Sequence, residues 1–209
     1  MNYSFRKKNR IVKYIVIHYT GMKNLKLAYK KLSNKTSNVS AHYLVSRKGI
    51  IYNLVCPKYK AWHAGESKWG NHVNINEYSI GVELENRGHE FGYQNFTNKQ
   101  YFELSKLISF LKKNFGIVDN DIIYHSDISP NRKQDPGEKF FIYKIGINKF
   151  KRNKRNIYNH SINFMLRKYG FHKSYVRNYK RFCIMAVKRT LNYKNISPVI
   201  TKKFLKDFY

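Results

Sequence analysis

Acidic residues, cysteines and long apolar runs are all scarce in this 209-residue sequence. Twelve Asp and Glu stand against 41 Lys and Arg, which gives a formal net charge of +29 at pH 7. Such a surplus would suit a polyanionic partner, but the basic residues are scattered through a chain rich in Lys, Asn, Ile and Tyr. This scatter favours a bias of coding composition and general solubility over a selected polyanion site.

The scarce cysteines and the short apolar runs exclude two further classes. Cys56 and Cys183 are far apart and have no metal-type spacing, so we expect two free thiols and no disulfide framework. No run reaches the roughly 18 apolar residues of a membrane-spanning helix. The start, MNYSFRKKNRIVKYIVIHY, is interrupted by Lys13 and has no small-residue cleavage site after it. We therefore expect no export signal and a cytoplasmic location.

Hydrophobic patterning predicts an α/β fold, a mixed β-sheet flanked by helices. The predicted elements, in order, are a buried strand over 11–18, a short helix over 24–33, a hairpin over 41–55 that turns at Lys48-Gly49, a strand over 78–85 and a short strand over 122–124. Between the last two strands, Thr97 and Gln100 form a capping box that opens a helix, and Gly116 ends it.

The composition changes near residue 148. From there to the C-terminus Asp207 is the only acidic residue, and the run KFKRNKRN is typical of a solvated linker. Helical spacing recurs over 157–169, 179–191 and 198–207. The sequence therefore predicts a catalytic domain over 1–147, a basic linker over 148–156 and a small all-α three-helix module over 157–209.

Two of the eight histidines stand where strands end. His18 ends the first predicted strand, and His125 follows the strand at 122–124 and opens the polar loop HSDISPNRKQDPG. Asp135 lies ten residues further along that loop. Two imidazoles and one carboxylate suffice as protein ligands of a catalytic zinc ion, which keeps one position open. His42 is interpreted as structural, and His72, His89, His160 and His172 as surface residues.

Five segments resemble, in the same order, the motifs of the zinc-type N-acetylmuramoyl-L-alanine amidases. They are IVIHYTG (15–21), SAHYLVSRKGIIYNLV (40–55), AWHAGES (61–67), YSIGVELENRG (78–88) and HSDISPNRKQDPG (125–137). The resemblance covers about 10–147. With EKFFIYKIGI (138–147) and a helical tail behind it, the chain is most similar to the AmiD-like branch, which carries a C-terminal peptidoglycan-binding module and suggests the cell envelope as an alternative location.

The resemblance implies a role for individual residues. It implies that Zn²⁺ is held by His18, His125 and Asp135. It also implies that Glu83 positions and deprotonates the attacking water and that Lys133 stabilises the oxyanion. A third group, Trp62, His63 and Ala64, would line the substrate groove. Glu85 lies two residues from Glu83 on the same face of the strand, so spacing alone leaves the choice of base open.

The implied activity is hydrolysis of the amide between the lactyl group of N-acetylmuramic acid and L-alanine, in peptidoglycan or in muropeptides. Two other classes are weighed against it. A recognition protein that binds peptidoglycan without cutting it would have lost a zinc ligand, whereas this chain keeps all three. A nucleic-acid binder is suggested by the charge, but no nucleic-acid motif is present and no such partner is expected. In the tail, Arg189-Thr190 replaces the aromatic-glutamine pair of peptidoglycan-binding modules, so a structural or charge-based role for the tail is an equal alternative.

Overall fold

The computed structural model describes residues 2–147 and 161–190. The predicted linker at 148–156 and the predicted helix at 198–207 lie outside these residues. Among the residues that are described, no helix is long and apolar enough to cross a membrane.

A five-stranded mixed sheet forms the centre of the fold. Its strands, in spatial order, are β4 (Ile51–Asn53), β3 (Tyr43–Val45), β8 (Ser79–Leu84), β2 (Tyr14–Tyr19) and β9 (Ile122–Tyr124). Strands β3, β8, β2 and β9 run parallel, and only β4 is antiparallel to its neighbour. Two small sheets stand beside it: β1 (Tyr3–Phe5) with β5 (Tyr59–Ala61), and β6 (Lys68–Trp69) with β7 (His72–Val73). The predicted mixed sheet is thereby confirmed.

Helices cover the sheet. They are α1 (Leu25–Ser33), α2 (Asn98–Phe115), α3 (His125–Ile128), α4 (Ile162–Tyr169), α5 (Lys173–Asn178) and α6 (Lys180–Thr190), with short 3₁₀ turns at Ile75–Tyr78, Asp119–Asp121 and Ile142–Ile145. The boundaries of α2 follow from its caps. The side chain of Thr97 accepts from the Gln100 N–H while the Gln100 side chain accepts from the Thr97 N–H, and Gly116 ends the helix in the left-handed conformation. The predicted helix is confirmed at both ends.

The alternation of β2 divides the core into two layers. Ile15 and Ile17 point to the layer that contains α2, where they join a cluster with Leu104 and Ile108. Val16 points to the opposite layer. The buried side chains packed in that second layer come from both halves of the chain: Tyr14, Val16, Trp69, Ile123 and Ile128 before residue 147, and Met165, Leu166, Phe171, Cys183 and Val187 after residue 161.

The described C-terminal helices therefore pack directly on the sheet. The indole of Trp69 makes edge contacts with the rings of Tyr169 and Phe171, and the Gly70 N–H donates to the Gly170 carbonyl at 2.6 Å. A Cβ on Gly170 would lie 2.2 Å from the indole, so the close approach requires glycine there. Helix α5 was not predicted, because six residues are too few to show a helical period. The division of the chain at residue 148 stays a prediction.

Candidate active site

Three possible metal ligands meet at the carboxyl edge of the parallel strands, where α/β sheets usually bind ligands. His18 is the fifth residue of β2, His125 follows β9 directly, and Asp135 lies on the loop after α3. The Nδ1 atoms of the two histidines are 2.9 Å apart, and Asp135 Oδ2 lies 3.1 Å from His18 Nδ1 and 3.0 Å from His125 Nδ1. All three side chains are buried.

These distances fit a metal ion. Zinc–nitrogen bonds of about 2.0–2.1 Å place neighbouring ligands of a tetrahedral ion roughly 3.3 Å apart, close to the observed spacing. Without an ion, two buried ring nitrogens and a carboxylate oxygen would share too few protons to hydrogen-bond with one another in all three pairs. The donor set therefore fits a bound cation better than it fits a purely structural cluster.

The loop from His125 to Asp135 is closed by its own backbone. The Ser126 N–H donates to the Asp135 carbonyl at 3.0 Å, which returns the chain to its starting point. Arg132 fastens the outside of the loop by donating from its guanidinium to the carbonyls of Ala64 and Glu66. These bonds bring His125 and Asp135, ten residues apart in sequence, into contact.

The outer nitrogens of both histidines also have partners. His125 Nε2 donates to the carbonyl of Ala64 at 3.1 Å, and His18 Nε2 lies 3.0 Å from His63 Nδ1. Such outer partners fix the tautomer and the ring orientation of a ligating histidine.

Glu83 lies beside the cluster as a carboxylate with unused hydrogen-bonding capacity. It is paired with His18 in the register of β8 and β2 and is 8% exposed. Its Oε2 has no hydrogen-bond partner among the described residues. Burial, together with the negative charge of Asp135, raises the pKa of Glu83 well above its ordinary value, while Lys133 opposes the rise. A buried acceptor of this kind can take a proton from a bound molecule.

Glu83 and Glu85, which spacing alone could not distinguish, lie in different cavities. Glu83 lines the cavity above the ligand cluster. Glu85 follows the end of β8, accepts from the Arg47 N–H at 2.7 Å and lines a different cavity.

Burial shapes the electrostatics of the ligands. It lowers the pKa of His18 to about 4, and the positive charge of His125 adds to the effect. For Asp135, burial acts to raise the pKa, but the neighbouring imidazoles of His125 and His18 hold it well below its ordinary value. Both shifts favour the forms of His18 and Asp135 that bind a cation, the neutral imidazole and the carboxylate.

The ligand cluster opens into a cavity of about 440 Å³. Its lining includes Glu83, Lys133 and His63 together with the three ligands. A second cavity of about 750 Å³ continues from it and shares Thr20, Gly21, Met22, Lys31 and Glu90 with it. We call this second cavity the basic groove, because Lys23, Lys30 and Lys31 line it.

The three residues predicted to line a substrate groove fall in different places. His63 lines the cavity but is 6% exposed and contacts His18. Ala64 is fully buried, and its carbonyl oxygen accepts the hydrogen bond from His125 Nε2. Trp62 is half-buried, and its indole N–H donates to Ser4 Oγ at 3.1 Å; it is not among the residues that line the cavity.

Sequence reasoning missed two residues at the rim of the cavity. Tyr19 and His89, the latter interpreted as a surface residue, both line it, and the Tyr19 hydroxyl lies 2.9 Å from His89 Nδ1. His89 Nε2 in turn lies 3.1 Å from Glu138. The position of Tyr19 directly after His18 in a strand was an available signal, whereas nothing local to His89 indicated its place.

A His₂Asp cluster at the carboxyl edge of a sheet, with a buried carboxylate oxygen beside it that no described residue pairs, is typical of hydrolases that use a metal ion. Comparison with known families narrows this class. Residues 7–138 match the family described as N-acetylmuramoyl-L-alanine amidase, and the chain belongs to that family.

Relatives and solved structures agree with this family. The 1,6-anhydro-N-acetylmuramyl-L-alanine amidase AmpD of Haemophilus influenzae is 42% identical over 103 residues, which are 49% of this chain and 54% of AmpD. The N-acetylmuramoyl-L-alanine amidase AmiD of Escherichia coli is 36% identical over 141 residues, covering 62% of this chain and 50% of AmiD. The chain thus spans about half the length of the curated relatives it matches. A structure of Escherichia coli AmiD with the substrate anhydro-N-acetylmuramic acid-L-Ala-D-γ-Glu-L-Lys superposes with a TM-score of 0.76 at 26% identity, covering 97% of this chain and 91% of that one.

Proposed function

We propose that this protein is a zinc-dependent N-acetylmuramoyl-L-alanine amidase. It hydrolyses the amide between the lactyl group of N-acetylmuramic acid and L-alanine in muropeptides or in peptidoglycan. The observation that carries the proposal is the buried Oε2 of Glu83, which has no partner in the described part of the chain; Glu83 lines the same cavity as His18, His125 and Asp135.

Zinc fits the cluster better than harder cations do. Mg²⁺ and Ca²⁺ are bound mainly through oxygen, whereas two imidazoles and one carboxylate form a common catalytic zinc set. Bound there, zinc supplies Lewis acidity, which activates water near neutral pH and polarises a carbonyl group.

The residues around the cluster supply the rest of the chemistry. Glu83 takes a proton from the attacking water as the water oxygen bonds to the amide carbon, and it returns that proton to the leaving nitrogen of L-alanine. The raised pKa of Glu83 suits it to both steps. Lys133, which lines the cavity, places a positive charge near the carbonyl oxygen as negative charge develops there.

The form of the cavity supports a peptide-bearing substrate. The reacting amide would occupy the smaller cavity, and a stem peptide would extend into the basic groove, whose lysines complement the carboxylates of such a peptide. The substrate named in the AmiD complex, an anhydro-muramyl tripeptide, has this composition.

The test uses two substrates. The zinc-loaded protein is incubated with anhydro-N-acetylmuramyl tripeptide and, separately, with purified sacculi, each with and without a chelator. Mass spectrometry identifies the products. We expect release of the intact peptide with a free L-alanine amino terminus, and its loss on chelation. Stoichiometric zinc without cleavage of either substrate would contradict the proposal.

A further inference from the structure

His63 occupies a place that the sheet leaves open for it. Its imidazole lies directly over Gly81 of β8, where a Cβ would stand 2.3 Å from the ring Cγ. The backbone of the segment is also fixed, because the N–H groups of His63 and Ala64 both donate to Asn76 Oδ1, at 3.1 and 2.9 Å. Glycine at position 81 thus allows a ring to lie between the strand and the ligand cluster.

A line of short contacts runs from the cluster through this ring. His18 Nε2 lies 3.0 Å from His63 Nδ1, His63 Nε2 lies 3.1 Å from Ser79 Oγ, and Ser79 Oγ lies 2.8 Å from the Ile75 carbonyl oxygen. The line thus connects four residues, from His18 through His63 and Ser79 to the carbonyl of Ile75.

The last member of this line sets the direction of every hydrogen bond in it. A carbonyl oxygen can only accept, so the Ser79 hydroxyl donates to Ile75. The Ser79 oxygen then accepts from His63 Nε2–H, which leaves His63 Nδ1 without a proton and able to accept from His18 Nε2–H. His18 Nδ1 is consequently bare, and it is this atom that faces His125 and Asp135.

We propose that His63 is a positioning residue, which holds His18 in the tautomer and ring orientation that a metal ion requires. The inference rests on the proposed function only in its need for a metal at the cluster. The outer nitrogen of His18 is thus paired with a neutral imidazole, whereas the outer nitrogen of His125 is paired with the Ala64 carbonyl. Ser79 then orients His63 through its hydrogen bond to Nε2, and Gly81 leaves the space that the imidazole occupies.

Zinc affinity measures this role without reference to substrate cleavage. Competition with a chromophoric chelator gives the zinc dissociation constant of the full-length protein and its variants. His63→Leu removes the acceptor at similar volume, and we expect zinc to bind about 10–100-fold more weakly, as is usual for lost outer partners. His63→Asn keeps an oxygen acceptor near the Nδ1 position and should recover most of the affinity. Ser79→Ala should give a smaller loss.

His42 provides the matched control. It is a buried histidine beside Gly81 and accepts from the Gly81 N–H at 2.9 Å; its ring packs edge-on against that of His63, and within the described part of the chain it contacts none of the three ligands. His42→Leu should lower the melting temperature of the protein while leaving zinc affinity unchanged. A purely structural role for His63 would instead make the two leucine variants alike.

A second readout is independent of the metal. In ¹⁵N NMR of the metal-free protein, His63 should carry its proton on Nε2, with Nδ1 as a hydrogen-bonded acceptor. Wild-type zinc affinity in a folded His63→Leu variant, or a proton on His63 Nδ1, would overturn the proposal. If the affinity series holds but no amide is cleaved, the proposed function fails and this inference stands.

Discussion

Glu83 is the residue whose replacement separates catalysis from metal binding. In Glu83→Gln the shape is kept and the proton acceptor is lost, so turnover should fall by roughly 10²–10⁴-fold while zinc content stays at one per chain. Glu85→Gln is the matched control: it keeps an oxygen that can accept from Arg47, and its activity should stay near that of the wild type. Steady-state rates and metal analysis check both. Exchanged phenotypes would assign the base to Glu85.

The same variant has a consequence for stability. The raised pKa of Glu83 means that the folded chain holds this proton more tightly than the unfolded chain. Its contribution to stability is therefore present at low pH and is lost as pH rises towards the folded-state pKa. We expect the metal-free Glu83→Gln protein to melt at or above the wild-type temperature at pH 7, since folding then requires neither burial of a charge nor uptake of a proton at this position. A lower melting temperature would mean that the carboxylate has a partner that stabilises it.

His125 should be indispensable for the metal. His125→Ala leaves two ligands, and the Ala64 carbonyl loses its imidazole donor, so zinc should be lost on mild purification together with activity. Elemental analysis and thermal unfolding with added zinc check this. In the wild type, excess zinc should raise the melting temperature, and in the variant it should not. A variant that keeps stoichiometric zinc would place the metal elsewhere.

At this scale the sequence was informative where chemistry is local. His18 lies near the carboxyl end of one buried strand and His125 directly follows another. Because parallel strands bring their carboxyl ends together, it was predictable that the two histidines would lie near each other. Asp135 was a candidate from its place in the loop after His125, but a ten-residue loop has many possible paths, so it was the resemblance that decided for it as the third ligand. The contact between His63 and His18 was not predictable, since a missing side chain at Gly81 indicates a close approach without indicating what approaches.

At the scale of elements, local signals and tertiary packing contributed differently. Helix α2 was predictable to the residue because its caps are formed by Thr97, Gln100 and Gly116, all within its own segment. Strand β2 begins at Tyr14 and not at residue 11, because its length is set by pairing with β8 and β9, which local pattern does not contain. Helix α5 is stabilised by Tyr175 and Val176 in the second core layer, a tertiary effect.

Helix α1 carries a testable contribution to substrate binding. Lys30 and Lys31 line the basic groove, whereas Lys26 of the same helix lines another cavity. Reversing both groove charges (Lys30→Glu, Lys31→Glu) should raise KM for a muropeptide with free carboxylates several-fold, because exposed pairs contribute roughly 0.2–1 kcal/mol each. Turnover should stay unchanged. The effect should shrink in high salt, since screening acts over about 8 Å at physiological ionic strength.

Lys26→Glu is the control for that pair, with the same change of charge on the same helix. Its KM should match that of the wild type at every salt concentration. An equal rise in KM for Lys26→Glu would show a general effect of net charge, and the groove would then have no specific part in binding the peptide.

For the whole molecule, the question is whether the chain divides at residue 148. The three ligands and the other described residues that line the cavity above them all precede that point. The second core layer, however, contains Val16 and Trp69 from one side of it and Phe171 and Val187 from the other, all buried. The ligand His18 lies two residues after Val16 in β2, so both side chains are on the same face of the strand. This is the face on which the described C-terminal helices pack.

A chain ending at residue 147 tests this division. Truncation would expose apolar side chains of β2, β6, β9 and α3 to water, at about 25 cal/mol per Å² of lost burial. We expect the truncated protein to melt well below the full-length protein and to bind a hydrophobic dye, yet to keep its zinc and cleave soluble muropeptide at temperatures where it is folded. Calorimetry, dye fluorescence and the mass assay check the three parts.

The full-length Trp69→Ala variant should also be less stable, by about 3–5 kcal/mol, because it lacks the ring on which Phe171 and Tyr169 pack. If the truncated chain melts as high as the intact one, the C-terminal helices form an independent module, and their packing on the sheet contributes little to the stability of the site.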